Sequence, residues 1–166
     1  MAKRSRDNPA LGLAARIRSA ANRRAEAKRA EELAQERRRA EVAAALDRLF
    51  DHLQEAGEAA EVLDVKRDGH AIDLGLDGRS IRIASTPGDD APDLLGITAP
   101  GLDAVLSGFH SRELDRWALR VERRAPEGEP SPKPEVLILL GAGLELLVEE
   151  GLMLPLDGDD PPTRAL

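Results

Sequence analysis

The sequence predicts an α+β fold: a long N-terminal helix, then a mostly antiparallel sheet with short packing helices. Three observations lead there. From Pro9 to Ala56 no proline intervenes, and the strong helix formers Ala, Arg, Glu and Leu dominate. Two Asp-Gly pairs, Asp68-Gly69 and Asp77-Gly78, sit between stretches that alternate apolar and polar residues. Charge is divided unevenly, with a net of +7 over residues 1–39 and −14 over the rest of a chain whose total is −7.

The helix should begin at Asn8-Pro9, because proline at the first helical position gives up nothing by lacking an N–H and has its φ already set. Its middle, Arg18 to Glu41, holds Leu33 as its one large apolar residue, too little to bury against a core. Pairs such as Glu26 with Arg29, Lys28 with Glu32 and Arg37 with Glu41 could support a solvated helix, each at about 0.2–0.5 kcal/mol. After Ala40 the pattern changes. Val42, Leu46, Leu49, Phe50 and Leu53 recur every three or four residues, an apolar stripe suited to a core or to a second copy of the chain. Gly57 stands where a helix would stop.

The period then switches to two. Glu61 to Lys66, His70 to Leu76 (Ile72, Leu74 and Leu76 on one face) and the stretch around Ile81 and Ile83 read as a three-stranded meander over 61–85. Both Asp-Gly pairs are expected to form type I′ turns, which need positive φ. Thr86 to Pro92 reads as a loop and Leu102 to Phe109 as a short helix. Residues 112–124 fit both periods: as a helix, Arg112, Arg116, Arg120 and Arg123 share a face; as a strand, favoured by the neighbouring sheet, Arg116, Arg120 and Arg124 point to solvent opposite Trp117. Ala125 to Pro134 is a Pro-rich loop, Val136 to Leu140 a buried strand, Leu144 to Glu150 a short helix and Leu152 to Leu154 a final sheet edge. The expected domains are a basic helical arm at 1–39, an α+β body at 40–156 and a polar tail at 157–166.

Composition excludes much chemistry. The 166 residues include no cysteine, hence no disulfide, thiolate zinc site or Cys nucleophile. No run of about 20 uncharged apolar residues occurs, and no apolar leader core follows the basic start, so the expectation is a cytoplasmic protein with no membrane partner. VLILLGAGLELL, Val136 to Leu147, imitates a dinucleotide-binding turn, but Leu146 replaces the third glycine and too little chain follows. Ser85 and Ser107 match no nucleophile motif. His52, His70 and His110 lack metal-ligand spacing. Three aromatic side chains are few for lining a substrate cleft as well as a core. No enzyme activity, cofactor or metal is expected.

The functional reading falls on the arm. Arg16, Arg18, Arg23, Arg24, Lys28, Arg29, Arg37, Arg38 and Arg39 are the expected partner-binding residues of a non-enzymatic interaction or adaptor protein. Their partner would be an acidic protein surface, nucleic acid, or the acidic body of a neighbouring copy, giving a homo-oligomer. Arginine outnumbers lysine 20 to 4, which favours bidentate phosphate or carboxylate contacts but also follows from a GC-rich coding sequence. In element order from residue 40 onward (helix, three strands, helix, strand pair, helix) the chain resembles type III secretion chaperones. That resemblance implies an acidic dimer that binds a protein client, and the basic arm departs from it. A metal-dependent hydrolase using His110, Glu113 and Asp115 is the remaining alternative.

Overall fold

The structure, a computed structural model, describes residues 8–86 and 93–156. By compactness the chain falls into two units, Met1–Glu41 and Val42–Leu166.

Helix α1 runs over Pro9–Ala59. Its start is fixed as the sequence suggests: the Asn8 side-chain oxygen accepts a hydrogen bond from the Ala10 backbone N–H at 2.9 Å, capping one of the donors that the first turn leaves free. No residue of α1 before Val42 is buried. In the second unit the apolar stripe does its packing: Val42, Ala45, Leu49, Phe50, Leu53 and Gly57 are buried and Leu46 is half-buried against the same core. Gly57 does not end the helix, which continues to Ala59. It is a point of close approach, because a Cβ there would lie 2.5 Å from Val65 Cγ2 and 3.2 Å from Leu74 Cδ2. The chain leaves the helix through Glu61, which adopts a left-handed φ of 60°.

Seven strands follow among the described residues, β1 Asp64–Arg67, β2 Ala71–Leu76, β3 Arg79–Ser85, β4 Leu94–Thr98, β5 Ala104–Ser111, β6 Arg116–Arg123 and β7 Glu135–Ile138. They form one antiparallel meander in sequence order. One face carries the core, with Ile72 opposite Ile83 and Ile83 opposite Ile97 in register. Further along, Gly108 stands between Leu95 and Leu119, and a Cβ on it would come within 2.8 Å of Leu95 Cβ. Among the described residues, the opposite face carries polar groups such as Asp73, Arg82, Ser107 and Arg120, including an Arg82–Asp73 ion pair at 2.8 Å. This one-sided burial produces the alternating pattern of the strands.

The first predicted hairpins are present, but only one has the expected turn. Asp77 and Gly78 have φ of 51° and 77°, as a type I′ turn requires. Asp68 instead closes its loop through its side chain, whose Oδ1 accepts from the N–H groups of His70 at 2.7 Å and Ala71 at 2.8 Å, an Asx turn.

Three further expectations are corrected. The stretch read as a helix, Leu102 to Phe109, is mostly β5: after a buried Leu102, alternation puts Ala104 and Leu106 inward and Val105 outward, and pairing with two neighbouring strands outweighs a short helical spacing. The strand expected as buried over Val136 to Leu140 is the shorter β7, Glu135–Ile138, and Val136 is exposed; residues 116–123 form strand β6, as the neighbouring sheet favoured. The segment Leu144 to Glu150 is helical as expected, an α-turn at Leu144–Leu146 (α2) that widens into a π turn at Leu147–Gly151 and is entered through a kinked turn at Leu139–Gly143. Leu152 to Leu154 joins no strand; its N–H groups at Leu152 and Leu154 turn back to the Val148 carbonyl. With β5 where a helix was expected and β4 before it, the element order no longer follows that of the secretion chaperones. The loop residues 87–92 and the tail 157–166 lie outside the described residues.

Candidate interaction surface

Of the nine basic residues singled out on the arm, eight are exposed; Arg38 is half-buried and already engaged in an interaction. At 3.6 residues per turn these nine do not line up. Arg16, Arg23 and Arg37 fall near one side of the cylinder, Arg24, Lys28 and Arg39 on another, and Arg18 and Arg29 on a third. Glu26, Glu31, Glu32 and Glu36 are interspersed among them. The arm is therefore a cationic rod rather than a stripe, with basic residues distributed around its axis. None of the pairs Glu26–Arg29, Lys28–Glu32 or Arg37–Glu41 closes to an ion pair among the described residues. Leu11, Leu13, Ile17 and Leu33 are exposed on the same rod.

The stripe Val42, Leu46, Leu49, Phe50 and Leu53, suited by sequence to either a core or a second copy, packs on the chain's own sheet. Burial of each large side chain there contributes about 1.5–3 kcal/mol. Two polar contacts register the helix on the sheet. Arg67 of β1 lies over the Phe50 ring, its guanidinium 5.7 Å from the centroid, while donating to Asp51 at 2.6 Å and to Gln54 at 3.1 Å. Trp117 of β6 donates its indole N–H to the Ala45 carbonyl at 3.2 Å.

The other sequence candidates separate. His110 lies 3.4 Å from Asp115 and edge-on to Trp117, with ring centroids 5.1 Å apart. Among the described residues no three His, Asp or Glu side chains converge as a metal group would need, so His110, Glu113 and Asp115 do not form one. In the Gly-x-Gly turn, Gly143 is buried, and a Cβ would lie 2.9 Å from the Ile138 carbonyl. That glycine serves backbone packing. Two features of the body escaped sequence reasoning. Arg123 of β6 is tied to Glu150 at 3.0 Å, and this bond, with the Glu150 charge, raises the arginine's pKa further. The second is a hollow beside Trp117, whose lining comes from residues some seventy positions apart. No signal of periodicity brings such residues together.

Comparison of the chain with protein-family models, curated proteins and solved structures gives no match. Among the described residues, no helix is long and apolar enough to cross a membrane.

Proposed function

We propose that the protein is a non-enzymatic interaction protein whose basic helical arm docks on an acidic partner. The observation that carries this reading is the exposure of eight of the nine arm cations, on a segment that contributes nothing to the buried core. A helix charged on all sides and lacking an apolar stripe gains little by packing, so its docking energy is electrostatic. The acidic remainder of the chain repels other acidic surfaces and leaves the arm as the point of approach.

Such binding is screened by salt, because charges in water lose most of their attraction beyond a Debye length of about 8–10 Å at 0.1–0.15 M. Nucleic acid would add counterion release and a steeper dependence on salt. The test replaces Arg23, Arg24, Arg37 and Arg39 with Ala and measures binding to duplex DNA and to poly-glutamate across a salt titration. The expected result is salt-sensitive binding by the unaltered chain, its loss in the variant and unchanged Trp117 emission in both. Equal binding by variant and parent overturns the proposal.

A further inference from the structure

The hollow beside Trp117 joins an apolar floor to a cationic rim. Its volume is about 270 Å³, just below the range of about 300–1,000 Å³ typical of sites for drug-sized ligands. Buried Leu49 and Trp117 form its floor, and Leu140 closes one side. Arg48 and His52, one helical turn apart on α1, face the hollow together with Arg116 at the start of β6, and all three side chains are exposed. Neither arginine forms an ion pair among the described residues.

Acidic groups nearby are committed elsewhere. Asp115, the one carboxylate on the lining, is directed to His110 at 3.4 Å. Asp51, next to His52 in sequence, is held by Arg67 at 2.6 Å. In a body of strongly negative net charge, two arginines with no ion pair among the described residues stand beside an apolar hollow and concentrate positive charge there.

From this we propose that the hollow binds a small amphipathic carboxylate, with its apolar portion on Leu49, Trp117 and Leu140 and its carboxylate at Arg48 and Arg116. Arginine suits the role because its planar fork matches a carboxylate and loses little hydration on pairing. An apolar chain in the hollow displaces water from Trp117 and Leu140, and affinity grows with the apolar area covered. Neither part alone holds the ligand tightly, since exposed ion pairs contribute at most about 1 kcal/mol. Both together select for an apolar acid. This site belongs to the body and is independent of the arm's role.

Trp117 is the protein's single tryptophan, and the chain has no tyrosine, so its emission reports on the hollow directly. The experiment titrates the full chain with octanoate, octanol and octylammonium, following Trp117 fluorescence and, independently, calorimetric heat. Octanoate is expected to give a saturable spectral change, octanol a weaker one and octylammonium none. Arg48→Ala and Arg116→Ala should each weaken octanoate about fivefold, the conversion of about 1 kcal/mol for a partly exposed pair, and leave octanol unchanged. Leu140→Ser should weaken both octanoate and octanol. The proposal is overturned by the absence of saturable octanoate binding up to millimolar concentration, by equal binding of octylammonium, or by arginine variants that bind octanoate as the parent does.

Discussion

The indole N–H of Trp117 donates to the Ala45 backbone carbonyl across 3.2 Å, joining strand β6 to helix α1 over 72 positions of sequence. Both residues are buried, so the bond is made out of reach of water. Trp117→Phe keeps most of the ring's packing and removes the donor, and should destabilise the body by about 1 kcal/mol, the usual net contribution of a hydrogen bond. Trp117→Ala removes the ring as well and should cost about 3–5 kcal/mol. Urea unfolding followed by circular dichroism gives both values, and a Phe variant as stable as the parent would show that the bond adds nothing.

Gly57 reverses the ordinary rule for a helix interior. Replacing glycine by alanine there normally stabilises by about 1 kcal/mol. At this position the new methyl would meet Val65 Cγ2 at 2.5 Å, and overpacking of this kind costs about 1–3 kcal/mol. Gly57→Ala is therefore expected to be destabilising. Val65→Ala removes the clashing methyl, so adding it to Gly57→Ala should recover part of the loss. The double-mutant cycle should show favourable coupling between the two changes, and purely additive effects would refute the contact.

Asp68 links the β1–β2 turn to pH. The hydrogen bond from the His70 N–H, reinforced by that from Ala71, holds its carboxyl below the ordinary aspartate value. A group with a depressed folded pKa contributes stability above the unfolded value, about 3.9, and loses it as pH falls through the folded value. Asp68→Asn keeps an acceptor oxygen without the charge. The difference in melting temperature between parent and variant should be largest near pH 6 and shrink as pH falls from about 4 toward 2.5. A difference independent of pH would exclude the carboxylate as the source.

These positions also mark what was legible in the sequence. The helix start at Asn8-Pro9, the stripe from Val42 to Leu53 and the hairpin at Asp77-Gly78 are local signals, set by capping, by a 3.6-residue period and by a turn that demands positive φ. The strands after residue 93 were less so. Leu102, Val105, Leu106 and Phe109 satisfy a helical spacing, yet residues 104–111 pair with β4 and β6, and long-range pairing leaves no local trace in a segment this short. The Asx turn at Asp68 shows that the same dipeptide can close a loop by two routes. The hollow beside Trp117 was invisible, because Arg48 and Arg116 become neighbours only when the sheet folds onto the helix. The basic arm was legible from composition alone, whereas the arrangement of its charges around the helix needed the helix itself.

The arm and the body should separate in stability. No described residue of α1 before Val42 is buried, so removing the arm exposes no core surface and leaves Leu49, Phe50 and Leu53 against the sheet. Deleting residues 1–36 retains Arg38 and the interaction it makes. The remaining helix is held by packing rather than by its lost first turns, since tertiary contacts supply most helical stability in proteins. For a body of this size about 1 kcal/mol corresponds to about 3–6 °C. The truncated chain should unfold in one cooperative transition within that interval of the parent, with less helical ellipticity and the same Trp117 emission. A larger fall in melting temperature would mean that the arm supports the body's fold, and its arginines would then have a structural duty alongside recognition.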